Sequence, residues 1–182
     1  MADKIKFTDV DPINARDISI IKKNINKIIV KKDFILGESV KIFEKNFSKL
    51  SKIKYSIGCA SGTDALILAL KSINLRKDDE VIVPALTYIS TGLSVLLNHN
   101  KLIYADIDEE TGLISLESVS KKISRNTKVV ITVNLYGQKV NLKKLREFIG
   151  KKIFIIEDSA QSHFAYSCYS CPRKKISSCC KK

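Results

Sequence analysis

Ser61-Gly62-Thr63 is the first place in this chain where residue type and spacing suggest chemistry. A glycine there permits close backbone approach and unusual dihedrals. The hydroxyls of Ser61 and Thr63 add donors to the exposed amides of a helix start, a combination that suits a phosphate. The same residues also read as an ordinary helix cap, with Ser61 at the N-cap and Asp64 complementing the dipole. Tyr88 follows Pro84-Ala85-Leu86-Thr87; its ring face suits stacking on a flat heterocycle, or packing on the helix it begins. Asp158 ends a strongly apolar run. A carboxylate at such a rim can pair with a protonated ring nitrogen, or simply be solvated. Gln161 follows within hydrogen-bonding reach of a ring oxygen. His163 reads as a structural or exposed histidine. Cys168, Cys171, Cys179 and Cys180 match a zinc site poorly, because adjacent cysteines break the two-residue spacing. No metal site and no catalytic side chain are assigned.

These groups need elements to position them. Asn14–Val30 is predicted to be a helix from the spacing of Ile18, Ile21, Ile25, Ile28 and Ile29. Phe34-Ile35-Leu36-Gly37 breaks it, and a second helix is expected over Glu38–Leu50. Strands are then expected at Tyr55–Cys59, Glu80–Val83, Leu102–Ala105, Lys128–Val133 and Ile153–Ile156. Helices over Gly62–Ile73, Tyr88–Leu97, Leu116–Ile123 and Leu142–Ile149 separate them. Continuous apolar strands alternating with helices predict an α/β fold, a three-layer αβα slab around a mainly parallel sheet. Ligands bind beyond the carboxyl ends of the strands in such a slab. Residues 58–63, 84–88, 134–138 and 158–161 would gather at that edge.

Composition narrows the rest. The chain has 182 residues, 45% of them hydrophobic, which fits a soluble globular protein with a real core. The net charge of +13 comes from lysines spread along the chain, which reads as solvated helix faces rather than a nucleic-acid groove. A basic surface still favours a substrate that carries phosphates. No apolar run reaches the length of a membrane span and no secretory signal is visible at the start, so a cytoplasmic location is expected. From Tyr166 to Lys182 the helical and strand periods stop, and the composition turns basic and cysteine-rich.

The ordered set of motifs resembles the DegT/StrS-type sugar aminotransferases, which have the fold type I architecture of enzymes that use pyridoxal 5′-phosphate (PLP). The matching stretches are 34–37, Phe43-Glu44, 58–66, 79–84 with Thr87-Tyr88, 106–108, 134–138 and 157–161. They occur in family order, and the resemblance covers about residues 5–165. The resemblance implies that Gly62 and Thr63 hold the cofactor phosphate, with Ser61 nearby. It implies that Tyr88 stacks on the pyridine ring, that Asp158 binds the ring nitrogen and that Gln161 contacts the ring hydroxyl. Asn134 stands where many members have histidine. Such enzymes move an amino group from glutamate to a nucleotide-linked keto sugar and work as homodimers. Their Schiff-base lysine lies beyond a further strand, in a serine- and proline-containing turn. Lys174 is too close to Asp158 to be its counterpart. Residues 1–165 are therefore expected to be part of a large PLP-binding domain, with an incomplete cofactor site and no turnover from this chain alone. Residues 166–182 are expected to be a disordered tail or the product of a frameshift. The rival expectations are a PLP-dependent sugar dehydratase of the same superfamily, and a noncatalytic binding or partner module.

Overall fold

Isoleucines at helical spacing build α1 (Ala15–Lys31), and a Phe43–Phe47 stripe with ring centroids 5.8 Å apart builds α2 (Glu38–Ser51). A computed structural model describes residues 15–163; the tail, with its four cysteines and Lys174, lies outside the described residues. The chain divides into two compact units, Met1–Gly58 and Cys59–Lys182.

In the first unit the turn between α1 and α2 is built around Asp33. Its carboxylate accepts from Ser39 N (2.8 Å) and Ser39 Oγ (2.6 Å). Those two bonds hold its carboxyl below the ordinary aspartate range. Gly37 sits so close to this carboxylate that an added Cβ would overlap it, so a side chain there would displace the Asp33 carboxylate from its bonds to Ser39. Neither helix buries a residue, and Ile25, Ile29, Phe43 and Leu50 remain exposed.

The second unit holds the core. Its helices are α3 (Gly62–Ser72), α4 (Ser90–Leu97), α5 (Leu116–Lys122) and α6 (Leu142–Ile149). Its strands are β1 (Glu80–Pro84), β2 (Lys101–Ala105), β3 (Thr127–Val133) and β4 (Phe154–Asp158). The four strands pair in parallel in the order β2-β1-β3-β4. Right-handed crossovers then place α4 on one face of the sheet and α5 and α6 on the other. The packing agrees, with α3 against α4 and α5 against α6. Val81, Ile82 and Val83 of β1 and Val129, Val130 and Ile131 of β3 are fully buried, as expected for central strands covered on both faces.

One predicted strand is absent. Tyr55–Cys59 forms no strand among the described residues, so the sheet has four strands where the sequence suggested five. Apolar character can make a segment extended, but a strand needs a lateral partner for its backbone groups. Here Gly58 N donates to the Glu44 carboxylate instead (2.7 Å), and Ile57 is 80% exposed.

Candidate functional site

The strands end together. Pro84 pairs with Ala105 and Val133 pairs with Asp158, so the loops after all four strands leave from one edge. The chain runs from β1 outward to β2 and from β3 outward to β4. The loops after β1 and β3 therefore part to opposite faces, which opens a crevice between two neighbouring strands. Tyr88 lies in the first of these loops and Asn134 opens the second.

The start of α3 comes to the same edge. Thr63 Oγ1 lies 2.7 Å from Ser90 Oγ at the start of α4, two residues beyond Tyr88. Ser61 is the N-cap: its hydroxyl accepts from Asp64 N (3.1 Å) and donates to Asp64 Oδ2 (2.7 Å). Ala65 N donates to Ser61 O, which leaves the Gly62 and Thr63 N–H groups without an acceptor among the described residues. An added Cβ on Gly62 would meet nothing within 4 Å, so the approach to these amides is open. The cap reading of this motif is thus observed at Ser61, and the Gly62 and Thr63 amides stand beside it at the start of α3.

The other face of the crevice is more tightly built. Asn134 is fully buried. Its Nδ2 donates to Glu157 Oε1 (2.6 Å) and Ser159 Oγ (3.1 Å), and its Oδ1 accepts from Val140 N (2.9 Å). Its own N–H donates to Asp158 O (2.9 Å). Asn134 thus clamps the end of β3 to the end of β4. Asp158 is half-buried; its Oδ1 accepts from Ala160 N (3.0 Å). Gln161 Oε1 accepts from Tyr136 N (2.8 Å). That bond fixes which way the amide points and leaves Nε2 as the group Gln161 can offer a ligand. Tyr136 and Gly137 both have positive φ, +55° and +79°; glycine adopts this freely, while Tyr136 is held there with its N–H bonded to Gln161. Gln138 Nε2 donates to Thr111 O (2.8 Å), which ties the loop after β2 to the same edge.

The structure therefore brings Thr63, Tyr88, Asp158 and Gln161 to one rim. It is an open rim rather than a closed pocket: Tyr88 is 73% exposed. Two open clefts among the described residues lie elsewhere. One is at the opposite end of the sheet, near Leu70, Leu75 and Asn100; the other is between α1 and α2, near Lys27, Lys31 and Ser39. Sequence reasoning missed Ser90, and it left Asn134 without a role. Ser90 carries no local signal, because its partner is 27 residues away. No group of three His, Cys, Asp or Glu residues suited to a metal occurs among the described residues. No helix there is long and apolar enough to cross a membrane.

The parallel four-stranded sheet covered by helices is an α/β architecture shared with the PLP enzymes of fold type I, to which its structural neighbours belong. The chain belongs to the DegT/DnrJ/EryC1/StrS aminotransferase family, whose profile matches residues 16–169. It is 36% identical over 163 residues to dTDP-3-amino-3,6-dideoxy-α-D-galactopyranose transaminase of Aneurinibacillus thermoaerophilus, covering 88% of this chain and 45% of that protein. The chain thus spans less than half the length of this relative. NtdA of Bacillus subtilis, solved with bound PMP, matches with a TM-score of 0.81 and 30% identity, over 87% of this chain and 37% of that one. The E. coli GDP-4-keto-6-deoxy-D-mannose-3-dehydratase with bound hydrated PLP matches with a TM-score of 0.72 and 32% identity, over 75% and 37%.

Proposed function

We propose that this chain carries the phosphate- and ring-binding part of a PLP enzyme that aminates a nucleotide-linked keto sugar, with glutamate as amino donor. The observation that carries this reading is the Thr63–Ser90 contact. It supports one ligand spanning from the start of α3 past Tyr88 towards Asp158. The residues suit the group chemically. Two amides and a hydroxyl match a phosphate dianion, the exposed Tyr88 ring matches a planar heterocycle and a carboxylate matches a pyridinium.

PLP, when bound, supplies an electron sink for bond changes at the carbon bearing the amine. In this reading the chain's own residues bind and orient. Gly62 and Thr63 donate to the phosphate, Tyr88 covers one ring face, and the Asp158 carboxylate keeps the ring nitrogen protonated. Gln161 Nε2 donates to the ring oxygen. None of these is a lysine, so the assigned roles include no covalent anchor. The same reading takes residues 1–165 as part of a large cofactor domain and 166–182 as a separate tail, and it expects the working enzyme to be a homodimer.

The test is titration of the purified chain with PLP and with pyridoxal, which lacks the phosphate. PLP should bind more tightly, and Thr63→Val, Tyr88→Ala and Asp158→Asn should each weaken it. Borohydride should leave no single modified lysine. Equal affinity for PLP and pyridoxal, or indifference to all three substitutions, would overturn the proposal. Likeness to the 3-dehydratase favours a second reading, loss of water from the keto sugar on the same cofactor. Formation of a deoxy keto sugar rather than an amino sugar would select it.

A further inference from the structure

The start of α4 is crowded with serine and threonine hydroxyls, and all of these but one are engaged within their own segment. Thr87 and Thr91 pair with each other at 2.8 Å, and Ser94 Oγ donates to Thr91 O at 2.8 Å. Ser90 alone among them reaches another element, meeting Thr63 across 2.7 Å while only 8% exposed.

Each hydroxyl has one proton, so at this distance one of the two must donate to the other. If Thr63 donated to Ser90, its oxygen would turn lone pairs towards an anion at the start of α3, and repel it. If Ser90 donates, the Thr63 proton is free to point outward, and accepting one bond makes it a better donor for the next. Ser90 is the first residue of α4, so its own helix offers no carbonyl a turn back to divert its hydroxyl. Its burial limits competition from water.

We propose that Ser90 is a positioning residue which sets the Thr63 hydroxyl as a donor to the cofactor phosphate. This rests on the cofactor reading above. The relay runs Ser90 O–H to Thr63 Oγ1, then Thr63 O–H to a phosphate oxygen. It also couples the phosphate end of the ligand to the loop that presents Tyr88.

The experiment measures binding of PLP, inorganic phosphate and pyridoxal to the chain and to Ser90→Ala, Thr63→Val and the double variant. Ser90→Ala should weaken PLP and phosphate by about three- to tenfold, the worth of one hydrogen bond, and leave pyridoxal unchanged. In the Thr63→Val background, Ser90→Ala should have no further effect, because the relay is already broken. Parallel loss of PLP and pyridoxal would mean a purely structural serine and overturn the proposal. So would effects that multiply in the double variant, or a Ser90→Ala chain that binds phosphate normally. If the unsubstituted chain shows no preference for PLP over pyridoxal, the cofactor reading falls and the role of Ser90 falls with it. A clear preference untouched by Ser90→Ala removes the role of Ser90 alone.

Discussion

At the scale of single residues, polar groups inside the sheet divide into the satisfied and the orphaned. Asn134 uses both its amide protons and its carbonyl, so its burial is compensated. Thr132, two residues earlier on β3, is fully buried, and its hydroxyl finds no partner among the described residues. Thr132→Val keeps the β-branched shape and removes that stranded hydroxyl. It should raise stability by about 1 kcal/mol, read as a higher urea midpoint; a loss of stability would show that the hydroxyl has a partner. Neither behaviour was readable from the chain. An asparagine and a threonine in an apolar run look alike until their neighbours are known. The candidate residues Thr63, Tyr88, Asp158 and Gln161 were readable, because strand ends and helix starts leave local marks. Ser90, which meets Thr63 only through packing, was not.

At the scale of elements, the opposite end of the sheet is locked by one carboxylate. Glu80 opens β1, is 5% exposed, and accepts from Lys101 Nζ on β2 (2.9 Å). It also accepts from Ser124 Oγ beyond α5 (2.5 Å) and Thr127 Oγ1 on β3 (3.2 Å). The Ser124 bond foremost, then Lys101, holds its carboxyl below the ordinary glutamate range against the opposing effect of burial. Because the folded pKa is the lower one, this stabilisation is whole above the ordinary carboxylate range. It is lost as pH falls through the depressed value. Glu80→Gln should therefore cost about 1–2 kcal/mol at neutral pH, and the gap from the unsubstituted chain should close in acid. Urea melts at neutral and acidic pH would show this; a gap independent of pH would mean that charge is not the cause. The four observed strands lie within a residue or two of their predicted limits, since buried apolar runs mark themselves. Tyr55–Cys59 has the same mark but forms no strand among the described residues, so the mark alone does not make a strand.

At the scale of the molecule, stability is uneven. Every buried apolar side chain among the described residues belongs to the second unit, from Leu66 to Ile153. Neither α1 nor α2 buries a residue. Amides of these two helices should exchange with solvent by local opening, while those of β1 and β3 should exchange only on global unfolding. Hydrogen exchange read by mass spectrometry would check this; equal protection of α2 and β3 would show that the first unit is held as firmly as the core.

The sequence by itself determined which segments are apolar, where helices start, and the order of motifs that places the chain in its family. Those are properties of neighbours along the chain, carried by periodicity and capping chemistry. Only the tertiary structure decided the rest: that Thr63 meets Ser90, that Asn134 joins two strand ends, and that Gly58 N is taken by Glu44. Each of these depends on a partner distant in sequence, and a hydrogen bond's partner is set by how the layers pack rather than by the residues on either side.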